Sequence, residues 1–344
     1  MKMENLMDSY KEQSEHTDAV KELLELMAAY QKSQVLFTFV ELEIADLLSA
    51  EALPAEKIAA AKDIDPLAME RFLNAAVVTG LLTKNEGVYK TTPLAEKFLV
   101  SSGEFYLGGQ VTRHRKRSAP AWTKLTESLR AWSYGDEERE MPEDDDQGAE
   151  AMTEQHNLAL LHGTALAEAF DFSKYKKILD LGGGTAATSI ALCRKYPHLQ
   201  STVFDLPENA KLAGEFVQKS QMAERISVAG GDFKKDALPG DFDLVILANF
   251  MAVAEAEANL KLLKRLYEKL PAGGACLISG WILDDTKLAP HLSVLFCLED
   301  VCWNAPDVER SEKIYSGWLE ESGFINIECR TYLTPTKMLY GFRK

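Results

Sequence analysis

The chain has 344 residues, a formal net charge of −15 and five cysteines; this length suits about two domains. So acidic a chain argues against nucleic acid or an anionic membrane as partner, because both need basic surface. The cysteines form no C-x-x-C pair, no apolar run nears the roughly 18 residues that span a bilayer, and the polar N-terminus is no signal peptide, so the expectation is a cytoplasmic enzyme with reduced thiols.

Met1 to Thr17 is polar and reads as a frayed end. From Asp18, the apolar residues Val20, Leu23, Leu24, Met27 and Ala28 recur at helical spacing. A second helix follows from about Ser33 to Leu48, apolar on nearly every face and therefore buried on more than one side. Pro54–Ala61 and Asp65–Thr79 read as helices with proline near their starts. Leu81–Lys84 and Val88–Thr91 read as a hairpin about Asn85–Gly87. Two helices and a hairpin make a winged helix, which raises a DNA-binding regulator as an alternative. The second of these helices offers only Arg71 as a cation, too little for the phosphate contacts that dominate DNA affinity.

Pro93–Val100 is a further helix, and Gly103–Trp122 carries the only basic cluster, R-H-R-K-R at Arg113–Arg117. A solvated helix face is the simpler reading. The sharper one has Arg113 or His114 holding a substrate carboxylate, with Tyr106 and Trp122 as cleft walls. Tyr134–Glu150 is acidic, poor in apolar residues and expected to be an exposed loop. Ala151–Phe170 is a helix carrying His156, Asn157 and His162.

Lys177–Ala187 reads K-I-L-D-L-G-G-G-T-A-A. An apolar run with an acid at Asp180 breaks into Gly182, Gly183 and Gly184 and enters a helix, Thr188–Tyr196. Adjacent glycines let backbone approach a ligand closely, and the helix aims its free N–H groups at that ligand. The dinucleotide pattern would need a glycine where Ala187 stands, and Asp180 would repel a pyrophosphate. The pattern suits a ligand with a cationic, amino-acid-like end. Strand Gln200–Phe204 then ends at Asp205, where an acid holds ribose hydroxyls in doubly wound folds. Strand Ile226–Val228 runs into Gly230–Gly231–Asp232–Phe233, and strand Phe242–Leu247 into Ala248–Asn249. Four strand ends carrying Asp180 and the glycines, Asp205, Asp232 and Asn249 describe one nucleoside pocket.

Asn259–Leu270 is helical, and Pro271–Gly274 turns into strand Ala275–Ser279. Asp284–Asp285 is a loop, His291–Trp303 an apolar helix that would roof an acceptor pocket, and Ser311–Ser322 a helix closed by Gly323. Ile325–Tyr332 and Lys337–Phe342 form a last antiparallel pair. No zinc or two-metal ligand spacing occurs, so no metal is expected.

The succession LDLGGG, FDLP, GGDF and PAGGACLI resembles the plant-type O-methyltransferase family, which uses S-adenosylmethionine (SAM) and includes acetylserotonin-type and bacteriochlorophyllide C-20 enzymes. The resemblance spans nearly the whole chain. It implies a Rossmann-like, seven-stranded α/β methyltransferase domain behind a mostly helical winged-helix domain. The expected boundaries are 1–100 for dimerisation, 101–170 for a helical cleft region and 171–344 for SAM binding. It also implies an intertwined homodimer and a small-molecule methyl acceptor. Asp180, Gly182, Gly183 and Gly184 would line the methionine end of SAM. Asp205 would take the ribose hydroxyls, and Leu206, Asp232 and Phe233 would flank the adenine. Asn249 would lie near the methyl. His156 and Asn157 would lie beside SAM or the acceptor, and Tyr106, Arg113, His114, Glu299 and Trp303 would join in binding the acceptor.

One departure stands out. Oxygen-methylating members place a histidine base just after the fourth strand. The matching stretch here, A-N-F-M-A-V-A-E-A-E, puts Ala252 in its place, and no histidine lies between His198 and His291. The favoured reading is an acceptor that needs no strong base: a thioether sulfur, as in 4-methylthio-2-hydroxybutyrate, or an activated carbon. The alternatives are an oxygen or nitrogen acceptor served by His156, His162, Glu299 or Asp300, and a SAM-binding relative with other chemistry.

Overall fold

The computed structural model describes residues 2–132, 149–303 and 310–344, with the side chains of 2–16, 149–150 and 253 outside that description. Most of the expected acidic loop, up to residue 148, lies outside the described residues. The chain forms two compact units, Met1–Arg115 and Lys116–Lys344.

In the first unit a single helix, α1 (Lys2–Glu41), replaces the frayed end and the separate helix starts expected at Asp18 and Ser33. No glycine or proline occurs between residues 2 and 41, so nothing breaks the hydrogen-bond ladder. The break comes at Glu43, whose φ of 51° is left-handed, before α2 (Ile44–Leu48). Strand β1 (Leu53–Pro54) leads through α3 (Ala55–Lys62) and α4 (Pro66–Val78) to the hairpin β2 (Leu82–Asn85) and β3 (Val88–Thr91), in sheet order β1-β3-β2. Asp65 caps α4, its Oδ1 accepting from the N–H groups of Leu67 at 2.9 Å and Ala68 at 3.0 Å. Helices α5 (Pro93–Leu99) and α6 (Gly108–Arg113) follow. Phe39, Ile44, Ile58, Leu73 and Tyr89 are wholly buried between these elements. Along α1, Leu23, Leu24, Leu26, Met27 and Tyr30 stay exposed.

A π-helical turn, His114–Ser118, spans the boundary between the units, and the second continues through α7 (Ala119–Trp122), α8 (Leu125–Ala131) and α9 (Ala149–Ala169). Then come β4 (Lys177–Leu181), α10 (Ala187–Lys195), β5 (Gln200–Asp205), α11 (Pro207–Lys219), β6 (Ile226–Gly230), β7 (Leu244–Ala248), α12 (Ala256–Lys269), β8 (Ala275–Gly280), α13 (His291–Cys302), α14 (Glu312–Glu321), β9 (Ile325–Leu333) and β10 (Thr336–Phe342). The sheet has seven strands in the order β6-β5-β4-β7-β8-β10-β9. The first five pair in parallel and β10 runs antiparallel to β8 and β9. This is the expected doubly wound sheet. Helices α8 and α11 are among the elements that periodicity left unmarked; Pro207 starts α11 at a position where proline is tolerated. Central strands covered on both faces are continuously apolar; β7 obeys this rule, and β8 does so up to Ser279. Past its exposed first residue, Lys177, strand β4 breaks it once, at Asp180, which is wholly buried. The order of strands reverses between β4 and β7, and ligands of open α/β sheets bind at the carboxyl ends beside such a reversal.

Candidate functional site

The glycine turn leaves β4 through two left-handed residues, Gly182 at φ 69° and Gly184 at φ 53°. A Cβ at Gly182 would sit 2.2 Å from the Phe250 ring, and one at Gly183 would sit 2.8 Å from the Asp180 carboxyl carbon. Neither position has room for a side chain. Ala186, left-handed at φ 62°, then delivers the chain into α10.

Asp180 lies beneath this turn rather than in the open crevice, since no part of it reaches the surface. Its Oδ2 accepts a 2.6 Å hydrogen bond from Ser189, whose hydroxyl also meets Ser201 at 2.8 Å, while Oδ1 has no partner. Any contact of Asp180 with the methionine end of a ligand would therefore run through the glycine backbone. Burial pushes its carboxyl up to about 6, against the opposing hydrogen bond from Ser189. The proton thus binds more tightly in the folded chain than in the unfolded one, where an aspartate titrates near ~3.9. Between those values stability rises as pH falls, and above about 6 the buried charge costs stability in full. Replacing Asp180 by Asn should raise the melting temperature relative to wild type more at pH 7 than at pH 4.5. Scanning calorimetry at both pH values checks this, and an unchanged difference would refute it.

At the end of β5, Asp205 binds the turn from the side. Its Oδ2 accepts from the Gly184 N–H at 2.9 Å, and its Oδ1 from the Leu206 N–H and the Asn209 amide, both at 2.8 Å. Leu206 follows as an apolar side chain left 42% exposed. Asp232, after β6, is tied within its own loop by the Lys234 N–H at 2.8 Å and by Lys235 at 3.3 Å. The Lys234 hydrogen bond holds its carboxyl below the usual range. Phe233 meets Phe250 edge-on, with centroids 5.0 Å apart. Phe250 therefore connects the β6 loop, the glycine turn and the end of β7.

After β7, Asn249 is left-handed at φ 52° and exposed, and its N–H donates to the Ser279 carbonyl at 2.7 Å. Met251–Val253 forms a short 3-10 turn that carries Ala252. Asn259, fully buried in α12, pins this turn from below: its amide nitrogen donates to the carbonyls of Met251 at 2.8 Å and Ala254 at 2.9 Å. Sequence reading missed that pin because it set Asn259 at the start of the helix, whereas the helix begins at Ala256 and Asn259 lies on its buried face, a polar residue at an apolar position being the available signal.

The other base candidates are engaged or desolvated. His156 hydrogen-bonds Thr185 of the glycine turn at 2.8 Å and stacks on Phe216 at 4.0 Å. Burial, then Arg194 and Lys219, lower it to about 4, so it is neutral at pH 7. Asn157 is the next residue on α9, and burial likewise lowers His162. Both Glu299 oxygens are engaged: Oε1 accepts from Ser118 at 2.7 Å and Trp303 at 3.2 Å, and Oε2 from Trp122 at 3.0 Å. Glu299 and Trp303 thus clamp α13 to α7, with Arg117 over the Trp303 ring. Asp300 forms an ion pair with Arg310. A cavity of about 260 Å³ beside this clamp is lined by Arg117, Lys124 and Cys302 among others, away from the strand ends. Tyr106, Arg113 and His114 belong to the first unit. There burial raises the Tyr106 phenol, and His114 meets Gln110 at 3.2 Å. Arg115 of the basic cluster pairs with Glu41 at 2.7 Å. Among the described residues, no group of three or more His, Cys, Asp or Glu is placed to hold a metal ion, and no helix is long and apolar enough to cross a membrane.

A nucleoside with a cationic tail fits the strand ends on three counts: the side-chain-free glycine cradle, the carboxylate at the β5 end and the exposed apolar Leu206 beside it. Comparison with known proteins agrees. The profile of the O-methyltransferase domain matches residues 123–325, and that of the O-methyltransferase dimerisation domain matches residues 24–101. The chain is 31% identical to the 3-hydroxy-5-methyl-1-naphthoate 3-O-methyltransferase of Streptomyces sahachiroi, covering 91% of this chain and 92% of the relative. It is 33% identical to the N,N-dimethyltransferase OxyT of Streptomyces rimosus, covering 88% and 90%. Among solved structures, human N-acetylserotonin methyltransferase in complex with SAM superposes with a TM-score of 0.82 at 25% identity, covering 94% of this chain and 97% of that one.

Proposed function

The chain belongs to the O-methyltransferase family of SAM-dependent methyltransferases, and on that premise we propose that it methylates a small acceptor whose attacking atom needs no proton removed beforehand. The observation that carries this reading is Ala252, a methyl group on the pinned turn where the family's base would stand. The engaged state of Glu299 and Asp300 supports it, as do the hydrogen bond between His156 and Thr185 and the weak basicity that burial gives that imidazole.

Bound at the strand ends, SAM supplies an electrophilic methyl on a sulfonium. Asp205 would hold the ribose hydroxyls, and Leu206, Asp232 and Phe233 would flank the adenine. The Gly182–Gly184 turn would give the methionine end a backbone surface free of side chains, held in place by the Gly182 N–H on the Phe204 carbonyl and the Gly184 N–H on Asp205. The chain's own contribution to the rate is alignment of two reactants for an in-line displacement. Thioether sulfur and activated carbon meet the requirement for a base-free acceptor. Neutral nitrogen meets it equally, and the relatives reported above are named for oxygen and nitrogen transfer, so nitrogen joins the candidates. The dimerisation-domain match and the exposed stripe along α1 support a homodimer formed through the N-terminal helices. Five unpaired thiols suit a cytoplasmic setting.

The test is transfer from labelled SAM to a panel of amines, thioethers and phenols across pH 6 to 9. A base-free acceptor gives kcat independent of any enzyme group titrating near neutrality. A kcat that rises through such a group on a phenol would show that a base exists and would overturn the reading.

A further inference from the structure

Resting on the base-free reading, we infer that Asn249 orients the acceptor and selects a nitrogen that still carries an N–H. From Ala248 to Ala254 the chain reads A-N-F-M-A-V-A, so Asn249 is the only hydrogen-bonding side chain on the segment that would face the transferred methyl. Its backbone holds a left-handed φ of 52°, a conformation asparagine adopts more readily than other residues that carry a side chain. Two features impose it here. The Asn249 N–H is fixed to Ser279 at 2.7 Å, and the following turn is anchored by Asn259. Space for the side chain comes from the neighbouring strand, β8. Asn249 Oδ1 lies 3.3 Å from the point a Cβ on Gly280 would occupy, so a side chain at the end of β8 would crowd the amide. The amide is thus held exposed beside the switch between β4 and β7, where the nucleophile must stand.

A carboxamide is not a proton sink at neutral pH, but its Oδ1 accepts a hydrogen bond. An amine donating one N–H to Oδ1 has its lone pair turned away from that bond and toward the sulfonium. The nitrogen lone pair forms the N–C bond as the C–S bond breaks, and the sulfur keeps that electron pair. The proton of the resulting ammonium leaves to water after transfer. A thioether has no hydrogen to offer Oδ1 and is not oriented in this way.

The deciding variant is Asn249→Gly, because glycine adopts the left-handed backbone without strain and only the amide is lost. The probes are 1-naphthylamine, 1-naphthol and thioanisole, with SAM affinity and melting temperature measured in parallel. The expected result is transfer to the naphthylamine in preference to the other two, with Asn249→Gly lowering kcat by about tenfold or more, the worth of one lost hydrogen bond. SAM affinity should stay within about twofold and the melting temperature should not fall. Unchanged kcat in the variant overturns the inference, as does an equal loss of SAM affinity, which would make Asn249 a cofactor contact. Transfer to thioanisole alone, or to none of the three, overturns the choice of nitrogen while the base-free reading stands. Transfer to the naphthol with kcat governed by an enzyme group near neutrality sinks that reading itself.

Discussion

Asp205→Ala should weaken SAM binding by roughly 10- to 100-fold. Hydrogen bonds to a charged group contribute about 1.5–3 kcal/mol each, and about 1.4 kcal/mol is a tenfold change in affinity. Two losses combine in this variant. The ribose hydroxyls would lose their acceptor, and the Gly184 N–H would lose the carboxylate oxygen that holds it at 2.9 Å. The turn should then loosen at the point where the methionine end must be gripped. Asp205→Asn separates the two effects, because an amide oxygen can still receive the Gly184 N–H but without charge. Calorimetric titration should rank wild type above Asn and Asn above Ala. Equal affinity in wild type and the Ala variant would remove Asp205 from the pocket.

Gly182→Ala should damage stability and transfer together. At φ 69° an alanine is strained, at a cost of about 1–3 kcal/mol. The added methyl would also stand 2.2 Å from the Phe250 ring, which is 7% exposed and packs against Phe233. The ring has little space to retreat, and it belongs to the residue between Asn249 and the turn that carries Ala252. Displacing it therefore moves the acceptor side of the site as well as the cofactor side. A fall in melting temperature of roughly 4–10 °C is expected for a unit of this size, with a larger proportional loss in kcat. Gly240→Ala is the control: its φ of 64° is also left-handed, but no atom lies within 4 Å of the added methyl. It should show the strain without the loss of transfer. If Gly182→Ala transfers methyl as wild type does, Phe250 does not couple the two halves of the site.

The strand ends were legible because the information there is local. Three consecutive glycines, an acid closing the next strand and a third acid after Gly230–Gly231 mark backbone turns whose chemistry does not depend on distant neighbours. The absence of histidine between His198 and His291 was legible as well, and the resemblance of the flanking motifs is what sets Ala252 opposite the family's base. The helical reading of the N-terminus placed its breaks wrongly. Spacing shows where an apolar stripe begins, whereas only the lack of a breaking residue shows how far a helix extends, and α1 meets none before Glu41.

The sequence by itself determined the family, the parallel sheet and which strand ends carry the glycines and the acids. Only the tertiary structure decided what each polar residue is free to do. Asp180 reads as a ligand contact but is enclosed behind Gly183 and held by Ser189. Glu299 reads as a spare base but is saturated by Ser118 and Trp122, 181 and 177 positions away in the chain. A residue's type states which hydrogen bonds it can make, while its availability depends on which partners have already taken them, and those partners come from elements that meet only when the chain has folded.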